Sequence, residues 1–190
     1  MIDVTGFEIA LPDWCVALAR TLPAGLADVD DRIALAVELS RRNVEAGTGG
    51  PFGAVVSASD GRLVALGVNR VEADRCSSAH AEIVSLSLAQ ATMDTWNLAE
   101  AEGAPMELAT SCEPCAMCLG AIPWSGVRRV VCAASKRDAE DTGFDEGERD
   151  PDWIGMLARR GIETRTGLRR GEAAAVLRDY RVRGAPIYNP

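Results

Sequence analysis

Two separated motifs in this sequence carry residue types that bind metal ions. The first contains His80, the only histidine in the 190-residue chain, followed two positions later by Glu82. The second contains Cys115 and Cys118, three positions apart, so that both thiols can lie on one helical turn and bind one ion. Three protein ligands with a fourth position open to water are the composition of a catalytic zinc site. The pattern predicts one zinc ion per chain, held by His80, Cys115 and Cys118, with Glu82 beside the open position.

A closed structural site is the alternative interpretation of the same cysteines. Cys112, Cys115 and Cys118 are evenly spaced, and with His80 they could form a Cys₃His site that leaves no position for catalysis. The spacing also suits an iron–sulfur cluster, but no fourth cysteine followed by proline completes that pattern. A closed site would give Glu82 no role, and Cys112 is expected to end a strand and face away. We therefore favour the catalytic site.

The positions of the ligands require helices that begin at the metal. Two residues only two positions apart diverge on the side of a helix, so His80 and Glu82 converge only at a first turn, with the ion beyond the helix end. Ser77 or Ser78 is expected to cap this helix. Pro114 suits the first position of the cysteine helix, because a residue there has no intrahelical N–H bond to lose.

The remaining elements follow from hydrophobic periodicity and turn residues. Helices are predicted over 28–46, near 80–92, from 114 to near 123, over 151–160 and over 172–183. Strands are predicted over 52–57, 63–68, 106–111, 127–133 and 162–166, the first two joined as a hairpin around Asp60-Gly61. An acidic stretch, 138–150, is interpreted as a loop.

These elements predict an α/β fold with three α/β/α layers around a five-stranded mixed sheet. A helix between strands four and five allows a crossover, so these two strands are expected to be parallel. Residues 28–190 are expected to form one domain that ends in a helix and a short extended segment. Residues 1–27, interrupted by Pro12 and Pro23, are expected to be an extension that packs on that domain.

Composition restricts the partners of the protein. A formal net charge of −8 and a pI of 4.8 oppose a general attraction to nucleic acid or to an anionic membrane. The sequence shows neither a secretory signal nor a membrane span, so a cytoplasmic location is expected. Six cysteines are too few and too clustered for a disulfide framework in a chain of this length. A small, weakly charged substrate is favoured.

Four stretches of the sequence resemble the cytidine-deaminase-like zinc deaminase superfamily and, within it, the bacterial guanine deaminases. The resemblance covers roughly residues 30–190. The stretches are Gly50-Pro51-Phe52-Gly53-Ala54, His80-Ala81-Glu82, Thr110 to Ile122, and Gly143-Phe144-Asp145-Glu146-Gly147. The first three are shared with many relatives, including tRNA adenosine deaminases. The fourth, together with the terminal Ile187-Tyr188-Asn189, is more specific to guanine deaminases.

The resemblance implies a hydrolytic reaction that converts guanine to xanthine and ammonia. A zinc hydroxide held by His80, Cys115 and Cys118 would attack C2 of guanine. Glu82 would move the proton from the water to the adjacent ring nitrogen, and Glu146 resembles a second glutamate that assists departure of the amine.

The resemblance also assigns substrate contacts. Asn69 matches a base-contacting asparagine, and Tyr188 matches a residue of a C-terminal lid. The other residues placed around the base by the resemblance are Phe52, Ala81, Trp124 and Asp145. Such enzymes are commonly homodimers with exchanged C-terminal segments, so a homodimer is expected, and the sequence leaves open whether Tyr188 acts within its own chain.

Other functions share parts of this pattern. Deaminases of guanosine or of aminotriazines such as ammeline would carry the same zinc motifs and differ in the pocket. A tRNA adenosine deaminase should carry a basic face, which the net charge of −8 opposes. A zinc-stabilised binding protein without catalysis would not need Glu82.

Overall fold

Seven helices and five strands make up residues 6–189, the part of the chain that this computed structural model describes. The strands are β1 (Gly53–Ser57), β2 (Leu63–Val68), β3 (Glu107–Cys112), β4 (Arg129–Ala134) and β5 (Glu163–Arg165). The helices are α1 (Asp13–Ala19), α2 (Val29–Glu45), α3 (Ala81–Thr92), α4 (Ala116–Ser125), α5 (Lys136–Glu140), α6 (Trp153–Arg159) and α7 (Arg170–Val182). Residues 1–5 of the predicted N-terminal extension and the last residue, 190, lie outside the described part.

The five strands form one mixed sheet in the order β2-β1-β3-β4-β5. β1 is antiparallel to both β2 and β3, whereas β3, β4 and β5 are parallel to one another. The predicted five-stranded sheet and the parallel pairing of its fourth and fifth strands are confirmed. Because parallel neighbours need a crossover, α4 connects β3 to β4, and α5 and α6 lie between β4 and β5.

Both faces of the sheet are buried, and each face has its own hydrophobic cluster. Alternate residues of β4 divide between them, with Val131 in one cluster and Val130 in the other. The first cluster includes Ile33 of α2 and Leu177 of α7, and the second includes Ile122 of α4. The predicted three-layer α/β/α arrangement is therefore confirmed.

The helix that carries the cysteines differs at both ends from its prediction. Cys115, not Glu113, precedes the first helical residue, so Pro114 lies before the helix. The helix also continues past Pro123, and its final turn is held by the buried side chains of Ile122 and Ser125. Gly126, with a φ of 85°, ends it. Tertiary burial thus outweighs the local cost of an interior proline.

Two further local predictions are corrected. The residue that precedes α3 is His80, not Ser77 or Ser78, and its side chain makes no capping hydrogen bond. Part of the predicted acidic loop is helical, because Ser135 and Asp138 form a capping box at the start of α5 and Ala139 is buried.

The N-terminal residues 6–27 contact the rest of the chain at several points. Cys15 of α1 is fully buried in the first cluster, and Trp14 Nε1 donates a hydrogen bond to Thr48 Oγ1 at 2.9 Å. Gly25 forms an isolated antiparallel bridge with Arg62, just before β2. Among the described residues, none of the helices combines the length and the apolar character that crossing a membrane requires.

Two glycines let helices approach the β1–β2 hairpin closely from opposite faces. A Cβ atom on Gly53 would clash with the backbone of α2 at Ala36, and one on Gly67 would clash with the carbonyl oxygen of Ala81 at the start of α3. The position of α3, and therefore of His80, depends on the absence of a side chain at Gly67.

The substitution Gly67→Ala should lower the free energy of unfolding by about 1–3 kcal/mol, because the added methyl group meets backbone that cannot rotate away. Urea denaturation would measure the change. Gly120→Ala is the control: Gly120 lies within α4 with no atom near its missing Cβ, so alanine should raise stability by about 0.5–1 kcal/mol. Unfolding of Gly67→Ala at the urea concentration of the parent would contradict this account of the packing.

Candidate active site

A cavity of about 320 Å³ opens beyond the carboxyl end of β3, at the N-terminal ends of α3 and α4. This is the edge of a parallel sheet at which α/β proteins bind ligands. Side chains from separate parts of the sequence line the cavity, among them Phe52, His80, Glu82, Cys115, Phe144, Asp145, Glu146 and Tyr188. The structure therefore brings together most of the predicted site residues.

The three predicted metal ligands converge at one wall of the cavity. His80 immediately precedes α3, and Cys115 immediately precedes α4, so both helices begin at the same place. His80 Nδ1 lies 3.5 Å from Cys115 Sγ and 3.6 Å from Cys118 Sγ. All three ligand atoms lie within 4.8 Å of one another, and among the described residues this is the group of histidine, cysteine and acidic side chains that could hold a metal ion.

The spacing of these atoms suits tetrahedral zinc. Bonds of about 2.3 Å to sulfur and about 2.0–2.1 Å to nitrogen, at a tetrahedral angle, place the sulfur and nitrogen atoms about 3.6 Å apart. The two sulfur–nitrogen distances of 3.5 and 3.6 Å match this value. The donor set and its geometry therefore fit a zinc ion with one coordination position left for a non-protein ligand.

Local electrostatics favour metal binding by Cys115. Hydrogen bonds with Cys118 and with His80 lower the pKa of the Cys115 thiol to about 4, and the charge of His80 contributes as well. A zinc ligand must be a thiolate, so this shift favours coordination by Cys115, whereas the hydrogen bond with Cys115 and burial raise the pKa of Cys118 well above its ordinary value.

Cys112 has a different environment. Burial raises its pKa well above the ordinary value, its Sγ lies 3.6 Å from the carbonyl oxygen of Ser135, and it packs in the first hydrophobic cluster. It is a neutral core thiol outside the ligand group. This placement opposes the closed Cys₃His alternative.

Two buried carboxyl groups line the same cavity. Glu82 lies in the first turn of α3, and burial, followed by the charge of Cys115, raises its pKa to about 7. Burial, followed by the charges of Cys115 and Glu82, raises the pKa of Glu146 to about 8. Carboxyl groups whose pKa values lie near neutrality can both accept and donate a proton at physiological pH.

Glu146 lies in the segment between α5 and α6, outside regular structure. Its carbonyl oxygen accepts a hydrogen bond from the Ala116 N–H at 3.0 Å, at the start of the metal-binding helix. Asp145 lines the cavity beside it, and its carboxylate accepts the Gly147 N–H at 2.8 Å. Asp145 therefore also stabilises the turn that carries Glu146.

The side-chain amide of Asn69 is held in one orientation, and its N–H₂ group lacks a hydrogen-bond partner among the described residues. Its Oδ1 accepts the N–H groups of Gly50 at 3.4 Å and Val71 at 3.3 Å, so the orientation of the amide is set. The buried Nδ2 has no hydrogen-bond partner among the described residues. Asn69 itself is not among the residues that line the cavity, although its neighbours Phe52 and Val71 are, so its contact with a ligand stays a prediction.

Asn43, which the sequence analysis did not select, supports Asn69. Its Nδ2 donates to the carbonyl oxygens of Gly50 and Asn69, both at 2.9 Å, and its Oδ1 accepts from Thr48 Oγ1 at 2.8 Å. Trp14 of the N-terminal segment donates to the same Thr48 hydroxyl. The sequence signal that could have identified Asn43 is a polar residue on the buried face of α2, one helical turn after Ser40.

The C-terminal segment covers the cavity of its own chain. Phe144 packs against Phe52, Tyr180 and Tyr188, with ring centroids 5.0, 5.7 and 5.2 Å away. Asn189 bridges the Glu146 segment by donating to the Gly143 carbonyl at 2.8 Å and accepting from the Asp145 N–H at 2.9 Å. The buried Tyr188 hydroxyl has no partner among the described residues.

Ala81 is the first residue of α3 and is fully buried beside the ligand group. Trp124, in contrast, is not brought to the cavity. Its side chain is 82% exposed and lines a separate depression with Ile83 and Ala121. Because nine residues of helix span about 13 Å, the uninterrupted α4 carries Trp124 far from Cys115. This corrects the prediction that Trp124 lines the base pocket within its own chain.

Comparison with known proteins places the chain in a family. Residues 28–134, more than half of the chain, match the cytidine and deoxycytidylate deaminase zinc-binding region. The chain belongs to this family of zinc-dependent hydrolytic deaminases, and the family's zinc site corresponds in its donor types to the group described above.

Three individual matches, one protein sequence and two solved structures, indicate more narrowly which members of the family this chain resembles. The chain is 42% identical to guanine deaminase from Bacillus subtilis (strain 168) over 111 residues, which are 58% of this chain and 67% of the relative. It is 49% identical to the crystal structure of guanine deaminase from Nitrosomonas europaea, with a TM-score of 0.88 over 93% of this chain and 97% of that one. It is 50% identical to the structure of NE0047 in complex with 2,6-diaminopurine, with a TM-score of 0.89 over 96% of both chains.

Removing individual thiols should separate ligands from core cysteines. Cys115→Ser should lose zinc, because a neutral hydroxyl is a poor replacement for a thiolate ligand. Cys112→Ser should keep one zinc per chain, because its thiol lies outside the ligand group. Metal analysis of both purified variants would measure this. Loss of zinc from Cys112→Ser would restore the closed structural site.

Proposed function

We propose that this protein catalyses the hydrolytic deamination of guanine to xanthine and ammonia. The observation that carries the proposal is the convergence, in one cavity, of three donors at zinc spacing and two buried carboxyl groups, Glu82 and Glu146. The likeness to two guanine deaminases supports guanine as the substrate.

The walls of the cavity suit a flat heterocycle with a carbonyl group. Phe52, Val71 and Phe144 provide apolar surface, and Tyr188 covers them from the C-terminal segment. The free Nδ2 donor of Asn69 would pair with a carbonyl oxygen such as O6 of guanine, an acceptor that adenine lacks. NE0047 is similar over nearly its whole length and binds 2,6-diaminopurine, which carries the same C2 amine as guanine but an amine in place of O6. That complex therefore supports a purine with a C2 amine and not the carbonyl contact.

The roles of the chain's own residues follow from their places. His80, Cys115 and Cys118 would hold the zinc ion, which when bound lowers the pKa of water enough to supply a nucleophile at neutral pH. Glu82 accepts a proton from the attacking water and delivers it to the ring nitrogen next to C2. Glu146, which lines the same cavity, assists protonation of the amine that leaves. The water oxygen thus replaces the amine at C2, one proton of the water remains on the ring nitrogen, and the other leaves with the amine as ammonia.

The direct test is ammonia release by the purified zinc-loaded protein, offered guanine, guanosine, ammeline, adenine and cytosine separately. Guanine should be the preferred substrate, because among these compounds it alone presents a fused purine ring with the C2 amine and a carbonyl acceptor for Asn69, without a ribose that would have to fit under Tyr188. Release with guanosine or ammeline alone would move the proposal to that substrate. Release with none of them, at one zinc per chain, would contradict it.

The control in the same assay is Glu82→Gln, which keeps the size of the side chain but cannot carry the proton. It should retain zinc and lose about 10²-fold or more of the turnover, as expected for removal of a general acid–base group. Turnover within threefold of the parent would remove Glu82 from the mechanism.

We also propose that the protein is a homodimer formed through the outer face of α3 and α4. Apart from the buried Glu82, neither helix contains a charged residue, although 25% of the whole chain is charged. The exposed residues of this face include Met117, which also lines the cavity, and Trp124. Two chains that each carry a charge of −8 repel least where both surfaces are uncharged. Since Tyr188 reaches its own cavity, such a dimer needs no exchange of C-terminal segments.

The substitution Trp124→Glu should convert the dimer to a monomer, because it places a charge on both sides of the paired surface. Light scattering coupled to size-exclusion chromatography would measure the mass. Val182→Glu is the matched control: Val182 is 85% exposed but ends α7, on the opposite face of the sheet, and should leave the dimer intact. A monomeric parent, or a dimeric Trp124→Glu, would contradict the proposed surface.

A further inference from the structure

A partly buried arginine, Arg149, joins the segment that carries Glu146 to the turn that carries the first cysteine ligand. Arg149 Nη2 lies 2.7 Å from Glu113 Oε2, and its Nη1 donates to the Pro114 carbonyl at 3.0 Å. The side chains of Arg149 and Glu113 are only 9% and 15% exposed. One guanidinium group, three residues after Glu146, thus binds the two residues immediately before Cys115.

Neighbouring groups hold this arginine in place. Its guanidinium carbon lies 4.6 Å from the centre of the Trp153 ring, at the start of α6. Lys136 contributes on the other side, since its backbone N–H donates to Glu113 Oε2 at 3.1 Å and its Nζ donates to the Gly147 carbonyl at 2.6 Å. The Arg149–Glu113 pair therefore belongs to a partly buried polar network that connects Lys136, the Glu146 segment and the residues before Cys115.

No regular helix or strand hydrogen bonding holds this turn, and the hydrogen bond from the Gly147 N–H to the Asp145 carboxylate is a local contact within it. Gly143 and Gly147 flank Glu146 with φ values of 116° and 69°, in the region that favours glycine, and no helix or strand includes the segment. The placement of the Glu146 carboxyl group therefore depends on contacts with other parts of the chain. The hydrogen bond from the Ala116 N–H holds the Glu146 backbone at the start of α4, and Arg149 adds the side-chain contact between this segment and the two residues before Cys115.

We propose that Arg149 is a positioning residue for the deamination reaction, and that it acts by holding Glu146 at a fixed distance from the ligand group. The proposal rests on the function proposed above. Arg149 is not among the residues that line the cavity, so it acts through Glu146 and not on the substrate. A misplacement of about 1 Å at a catalytic group can cost about 10²-fold in rate.

The planar guanidinium group is needed because the two acceptors are met by different nitrogens. Lysine offers one point charge and could satisfy Glu113 or the Pro114 carbonyl, but it cannot fork between them or stack on Trp153 in the same way. Arg149→Lys should therefore preserve the buried charge pair and the fold while loosening the turn.

The test measures guanine turnover, zinc content and thermal stability of the full-length zinc-loaded protein. Arg149→Met should lower kcat by about 10–100-fold, with KM within about threefold of the parent and one zinc per chain retained. Arg149→Lys should lower kcat by about three- to tenfold, so that it remains informative if the methionine variant does not fold. Arg159→Met, which removes an exposed arginine paired with Asp152, is the control and should stay within twofold.

A double-mutant cycle decides whether Arg149 acts through Glu146. If it does, Glu146→Gln combined with Arg149→Lys should be no more than about twofold slower than Glu146→Gln alone. The proposal would be overturned if the rate reductions of the two single variants multiply in the double variant. It would also be overturned if Arg149→Lys loses zinc or keeps the kcat of the parent. A parent that releases no ammonia from guanine would refute the proposed function itself, whereas an active parent with unaffected Arg149 variants would refute this inference alone.

Discussion

The site depends on two helices that begin at the same point. α3 starts beside His80 and α4 starts beside Cys115, and the ligand atoms meet only because both N-terminal ends face one space at the carboxyl edge of the sheet. The backbone N–H groups at a helix start favour negative charge, which helps to hold both a thiolate and the Glu82 carboxylate near the metal. Close packing against the hairpin, made possible by Gly67, sets where α3 begins. The sheet is thus a frame that fixes the relative position of two helix ends.

Loops complete the site, and buried polar side chains fix each loop. On one side, Asn43 binds the backbone at Gly50 and Asn69 and, through Thr48, connects them to the N-terminal segment. On the other side, Arg149 and Glu113 connect the Glu146 turn to the metal-binding turn. Functional groups on loops need such ties, because regular backbone hydrogen bonding does not restrain them. The aromatic cluster around Phe144 then joins both sides under the C-terminal segment.

The sequence predicted those features that depend on local pattern. Hydrophobic periodicity located the α2 helix and the β1–β2 hairpin closely, and ligand spacing selected the three residues that the structure brings together. It did not predict features set by distant contacts. Pro123 was expected to end a helix that burial extends, and Trp124 was assigned to a cavity that the length of α4 prevents it from reaching. Asn43 and Arg149 carry no motif, and their roles emerge only once the loops that they bind are adjacent in space.

The central claim is that His80, Cys115 and Cys118 hold a zinc ion with one position open. X-ray absorption spectroscopy at the zinc edge of the purified protein tests it most directly, because sulfur and lighter ligands are resolved by distance. The account predicts two sulfur ligands at about 2.3 Å and two nitrogen or oxygen ligands at about 2.0–2.1 Å, one from His80 and one not from the protein. Three sulfur ligands and a single nitrogen would mean that Cys112 closes the site, and would contradict the catalytic role proposed for it.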